Sequence, residues 1–172
     1  EIMVLPGEEP IFLRYDAKNR DQMIERLKAL KALRTGEPAV VIAPVSAAIK
    51  KMTPHSLFEE NTIKLKRGEE IDLELVKTNL VKLGYERMEI VDGRGQFSVR
   101  GGIIDVFTPD GNHPYRVELF GTEIDSIRTF DEDTQRSLEN LKYIEIYPAE
   151  QITASEDIFR RAADKLRRDY AK

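Results

Sequence analysis

From Gly84 to Pro148 the chain offers only short apolar or alternating stretches, separated by turn-forming residues. A backbone without helical patterning must satisfy its amides and carbonyls between strands, so this texture dictates a sheet. The stretches run from Arg87 to Val91, Gln96 to Arg100, Gly102 to Phe107, Tyr115 to Phe120, Glu123 to Phe130 and Tyr143 to Tyr147. Asp92-Gly93, Pro109-Asp110-Gly111-Asn112 and Phe120-Gly121 supply the turns, and turns this tight join antiparallel neighbours. Just upstream, Thr62 to Lys66 alternates and Gly68 breaks it. Leu73, Val76, Leu80 and Leu83 then mark one face of a helix that stops at Gly84. One helix leading into a mostly antiparallel sheet is an α+β unit.

The N-terminal third reads differently. Apolar residues Met23, Leu27, Leu30, Ala32 and Leu33 recur at helical spacing between Asn19 and Leu33, with Gly36 as the stop signal. Ala39 to Ala43 is continuously apolar between Pro38 and Pro44, the signature of a strand buried on both faces. Strand, helix, strand is the expected order over residues 1–43, before a short helix from Ser46 to Lys51 capped by Ser46. The apolar run Ile2 to Leu5 begins directly after Glu1, as expected of a piece of a longer chain. After Pro148, Ser155 to Tyr170 reads as an amphipathic helix with Ile158, Phe159, Ala162, Ala163 and Leu166 inward.

Catalytic constellations are missing from the residues. No Gly-Lys-Ser or Gly-Lys-Thr occurs, so neither Gly93-Arg94-Gly95 nor the faintly metal-site-like Gly101-Gly102-Ile103-Ile104-Asp105 has a phosphate cradle beside it. The first reads as a hairpin turn, the glycine pair as a bulge or a close backbone approach. Asp131-Glu132-Asp133 would need glycine where Arg136 stands to form a calcium loop, which leaves a solvated acidic turn. His55 and His113 lie beside prolines, outside any metal or nucleophile spacing, and cysteine is absent. The expectation is no catalytic residue, no cofactor site and no metal site. With 27 Lys and Arg against 31 Asp and Glu, the formal charge of −4 supplies no field for coating nucleic acid. No apolar run spans a membrane and no signal pattern opens the chain, so a soluble, cytoplasmic protein is expected.

Arginine placement carries more information. Arg87, Arg94 and Arg100 lie on or beside two neighbouring strands and are balanced by Glu86, Glu89 and Asp92, an arrangement suited to protein recognition rather than phosphate tracking. If Phe97 and Val99 face the core, Ser98 and Arg100 face outward. The same arginines could equally be solvated outer-face residues.

Gly84-Tyr85-Glu86-Arg87, the run from Gly95 to Phe107, Tyr115-Arg116-Val117-Glu118-Leu119-Phe120 and Phe130-Asp131 closely resemble the UvrB-like N-terminal module of bacterial nucleotide excision repair. Val41 to Ser46, Thr53 to Phe58, and Asp125 to Asp131 with Thr134-Gln135-Arg136 resemble its transcription-repair coupling factor (Mfd) branch. The resemblance implies a partial RecA-like (1A-like) βαβ segment at residues 1–56. It implies a mostly antiparallel α+β domain 2 that binds UvrA at residues 57–148, and a helical return (1B-like) at 149–172. It further implies recruitment of UvrA to lesions at stalled RNA polymerase, with the ATP- and Mg-dependent translocase motor, polymerase contacts and DNA contacts outside this chain. Arg87 and Arg100 match arginines that contact UvrA in this family, Arg94 matches one without an assigned role, and Ser98 stands where UvrB carries a further arginine. A fragment of UvrB itself and a degenerate nucleotide hydrolase are the rival readings; Thr53 to Ser56 speaks against the first and the missing phosphate loop against the second.

Overall fold

In the computed structural model, which describes residues 2–7, 16–36, 38, 40–49, 55–150 and 156–170, the two N-terminal apolar runs form β1 (Ile2–Val4) and β2 (Val40–Ile42). They are linked through α1 (Asp16–Thr35) and pair in parallel, Ile2 with Val40 and Val4 with Ile42. Leu5, Ala29, Leu30 and Ala47 make a small core, with Met3 and Val41 against it. The expectation of a strand buried on both faces is corrected: Val40 and Ile42 are 61% and 57% exposed. The packed face carries Met3 and Val41, and among the described residues nothing covers the other. The buried stripe of α1 also differs from expectation. Ile24, Ala29, Leu30 and Ala32 are buried and Leu33 is exposed, while Arg26 turns inward and donates Nη1 to the Pro6 carbonyl at 3.0 Å. Next, α2 (Val45–Ala48) starts a residue before Ser46, with Pro44 at the N-cap and no side-chain cap bond, so Ser46 is not the cap. Lys51 lies outside the described residues. A further helix, α3 (His55–Glu60), was not expected.

The second unit opens with β3 (Ile63–Lys66) and α4 (Leu73–Lys82). Asp72 caps α4, its side chain accepting from the Glu74 and Leu75 amides. At the other end the Tyr85 amide reaches the Leu80 carbonyl at 3.0 Å and the Gly84 amide reaches Val81 at 3.0 Å, a Schellman closure with Gly84 at φ +86°. A β-carbon at Gly84 would lie 2.6 Å from the Glu150 Cγ. Gly84→Ala is therefore expected to lose about 1–2 kcal/mol in urea unfolding; a variant as stable as the parent would contradict this account of the turn.

Six strands follow in one sheet, ordered β4 (Glu86–Arg87), β5 (Gln96–Arg100), β6 (Ile103–Phe107), β7 (Tyr115–Phe120), β8 (Glu123–Phe130) and β9 (Ser137–Leu141). All neighbours are antiparallel except β4 and β5. That exception corrects two expectations. The strand expected from Arg87 to Val91 shrinks to two residues, and Gly93-Arg94-Gly95 is not a hairpin turn, because the chain loops back to place Glu86 beside Gln96 and Arg87 beside Phe97 in parallel. The Gln96 side-chain oxygen holds this loop by accepting from the Asp92 and Gly93 amides at 3.1 and 2.9 Å. Gly101-Gly102 is itself the two-residue hairpin turn between β5 and β6, not a bulge inside a strand. Gly101 takes φ +60°, and a β-carbon on Gly102 would lie 3.1 Å from the Leu119 carbonyl, so the close approach is real.

On the inner face Phe97, Ile104, Val106, Val117 and Ile127 pack with Val76, Leu80 and Leu83 of α4. Leu65 of β3 joins them, as do Ile144 and Ile146 of β10 (Tyr143–Ile146), which pairs antiparallel with β3. Lys31 of α1 ties the two units, 2.6 Å from Asp110 and 4.7 Å from the Tyr147 ring centroid. The chain then forms α5 (Glu156–Tyr170), where Ala163 and Leu166 are exposed rather than inward; the expected placement of Ile158, Phe159 and Ala162 lies outside the described side chains. This is a mixed α/β fold with mostly antiparallel sheets. No helix among the described residues is long and apolar enough to cross a membrane.

Candidate partner-binding site

Because β4 ends at Arg87 while β5 continues to Arg100, the edge of the sheet steps back and leaves a groove. Arg87, Met88, Glu89, Ile90, Val99 and Arg100 line it. The Met88 amide donates to the Phe97 carbonyl at 2.8 Å, which sets the side of β5 that faces this edge. By strand alternation the Val99 amide and carbonyl face the same way, beyond the last residue of β4, and among the described residues no backbone bond from the 88–92 loop meets them. Arg87 is exposed and the Arg100 side chain is 48% exposed. The same groove carries apolar Ile90, 56% exposed, and Met88, 36% exposed. Two guanidinium groups thus share this groove with exposed apolar side chains and an open strand edge, the combination of groups enriched at protein–protein contacts.

The four candidate residues do not act as one cluster. Arg87 and Arg100 share the groove. Ser98 does lie on the outer face of β5, as alternation requires, yet it is buried, so the expectation of an outward contact residue is corrected. It stands opposite Asp105 across the β5 and β6 pair, in a row filled by long side chains drawn onto that carboxylate. Arg94 lines a different cleft, with Met23, Ile24, Gly84, Pro109 and Glu150. Its Nε donates to the Gly111 carbonyl at 3.1 Å, and its guanidinium lies 5.8 Å from the Phe107 ring centroid.

Electrostatics on the outer face are organised by buried or half-buried carboxylates. Asp105 is buried and accepts from Arg116 Nε at 2.7 Å, Arg116 Nη2 at 2.8 Å and Arg100 Nη2 at 2.9 Å. The hydrogen bond to Asp105 raises the pKa of Arg116, whose guanidinium also stacks 4.1 Å from the Phe130 ring centroid. Further along, Glu118 accepts from Arg128 and Ser126, and the Arg128 hydrogen bond holds its carboxyl below the usual range. The acidic turn is a turn: Asp131 accepts from the Thr134 amide and hydroxyl, both at 2.7 Å. Among the described residues no cluster of three or more His, Asp or Glu side chains could hold a metal. Sequence reasoning missed Met88 and Ile90 as exposed apolar groups, since a regular strand would have turned one face inward. It also missed Asp105 as an anchor; the signal available was a lone charge between Ile104 and Val106.

The family described as the UvrB interaction domain matches residues 63–152. A transcription-repair-coupling factor of Staphylococcus aureus is 36% identical over 99% of this chain, and those of Staphylococcus epidermidis and Bacillus subtilis are 35% and 34% identical over 99% and 96%. The chain spans about 14% of the length of each of these relatives.

Proposed function

The chain belongs to the UvrB interaction domain family, and we propose that it is the UvrA-binding module of a transcription-repair coupling factor, acting by protein recognition rather than catalysis. In this reading it recruits UvrA to lesions where RNA polymerase has stalled. The polymerase, the DNA and the ATP-driven motor are engaged by other parts of a longer protein. The observation that carries the reading is the groove at the stepped sheet edge, lined by Arg87 and Arg100 together with Met88 and Ile90, within the segment that the family covers. Arginine suits such a site because its planar fork engages carboxylates or carbonyls while its stem covers apolar surface.

The division at residues 56 and 148 belongs to the same proposal. It is supported by two separate core clusters, one around Leu5, Ala29 and Leu30 and one running from Leu65 to Ala149. Residues 1–56 then act as the edge of a RecA-like layer and 149–172 as the return from the binding domain. Calorimetric titration of purified UvrA with the chain is expected to give saturable binding, and absence of binding by folded protein overturns the reading.

A further inference from the structure

Asp105 is a costly residue to place where it is. A carboxylate removed from water must be compensated by close donors, and here three guanidinium contacts compensate it, at 2.7, 2.8 and 2.9 Å. Arg116 makes two of them in the bidentate geometry, with its side chain itself 12% exposed. That pair alone neutralises the buried charge. The third contact, to Arg100 Nη2, therefore leaves the three-residue unit with one net positive charge, carried toward the groove by the more exposed arginine. Arg100 gives one donor to Asp105, and no described side chain or carbonyl takes its remaining donors.

We propose that Asp105 is a positioning residue for partner binding: it fixes the Arg100 guanidinium at the groove while Arg116 cancels the carboxylate charge, so that Arg100 is pre-oriented without being neutralised. The inference rests on the UvrA-binding reading above and deepens it. An exposed arginine loses side-chain freedom on engaging a partner; one already held by a rigid, buried acceptor loses less. Arg116 is held in turn by Phe130 and by the Gln135 side-chain oxygen at 2.8 Å, so the acceptor is fixed from behind. The position of Arg100 just before the Gly101-Gly102 turn adds a short, defined backbone under it.

The test is a double-mutant cycle on UvrA affinity with the full chain: parent, Asp105→Asn, Arg100→Ala and the double variant, each checked for folding by circular dichroism. Asp105→Asn is expected to weaken binding about five- to twenty-fold in the parent background, and less than about two-fold once Arg100 is alanine. A merely structural role would lower affinity equally in both backgrounds. If Asp105→Asn does not fold, Asp105→Glu keeps the charge that Arg116 needs while moving the carboxylate by one methylene, and the same cycle is run with it. Equal losses in both backgrounds, or parent affinity in the Asp105 variant, overturn the positioning role while leaving UvrA binding intact. A parent chain that does not bind UvrA overturns both readings together.

Discussion

Phe97→Ala is expected to lower the unfolding free energy by about 3–5 kcal/mol, the range for emptying a buried aromatic site. Phe97 is completely buried on the inner face of β5, in the cluster that joins the sheet to α4. Its neighbours belong to a rigid sheet and a capped helix, so the cavity has little room to collapse. Such a loss is a large share of the roughly 5–15 kcal/mol that holds a domain folded. Phe120, 86% exposed at the turn between β7 and β8, provides the internal comparison. Phe120→Ala is expected to stay within about 0.5 kcal/mol of the parent. Urea unfolding followed by circular dichroism measures both, and a Phe97→Ala loss below about 1 kcal/mol would contradict the assignment of the core.

The sequence made the sheet legible wherever one face is packed and the other is polar. The alternation through Phe97, Val99, Ile104, Val106 and Val117 marks the inner face because a one-residue slip would expose it all. Gly84 marked the end of α4 for a local chemical reason, a left-handed residue, whereas the Asp72 cap at its start came from the structure. What was not legible depends on tertiary context. β9, Ser137–Leu141, is an edge strand whose residues are almost all exposed, so it carries no apolar pattern. The parallel pairing of β4 goes with a loop held locally, Gln96 reaching back four and three residues to the Asp92 and Gly93 amides, a side-chain contact that the Asp92-Gly93 turn signal does not announce. At the site, outward alternation correctly put Ser98 and Arg100 on one face. It did not show that Ser98 would be buried; Ser98 stands opposite Asp105, the carboxylate that Arg100 and Arg116 both engage. Arg94 looked equivalent to Arg87 and Arg100 in sequence and was separated from them by the loop it sits in.

The second large effect concerns binding. Arg100→Ala is expected to cost about 1–3 kcal/mol of UvrA affinity, roughly five-fold to a hundred-fold or more, the loss on truncating a hot-spot arginine. Charge reversal should cost more, since it removes the donors and adds repulsion toward any acidic partner group. Arg100→Glu would also set a second carboxylate near Asp105, so Arg87→Glu is the companion variant: Arg87 lines the same groove from the short exposed strand β4. Lys82, exposed near the end of α4 and not among the residues that line the groove, serves as the control.

The most direct measurement is therefore calorimetric titration of UvrA with the parent chain, Arg100→Glu, Arg87→Glu and Lys82→Ala, each shown to be folded. The parent and Lys82→Ala are expected to bind with equal affinity, and both charge reversals to bind far more weakly. Parent-like affinity in folded Arg100→Glu and Arg87→Glu would contradict the assignment of the groove as the UvrA-binding site.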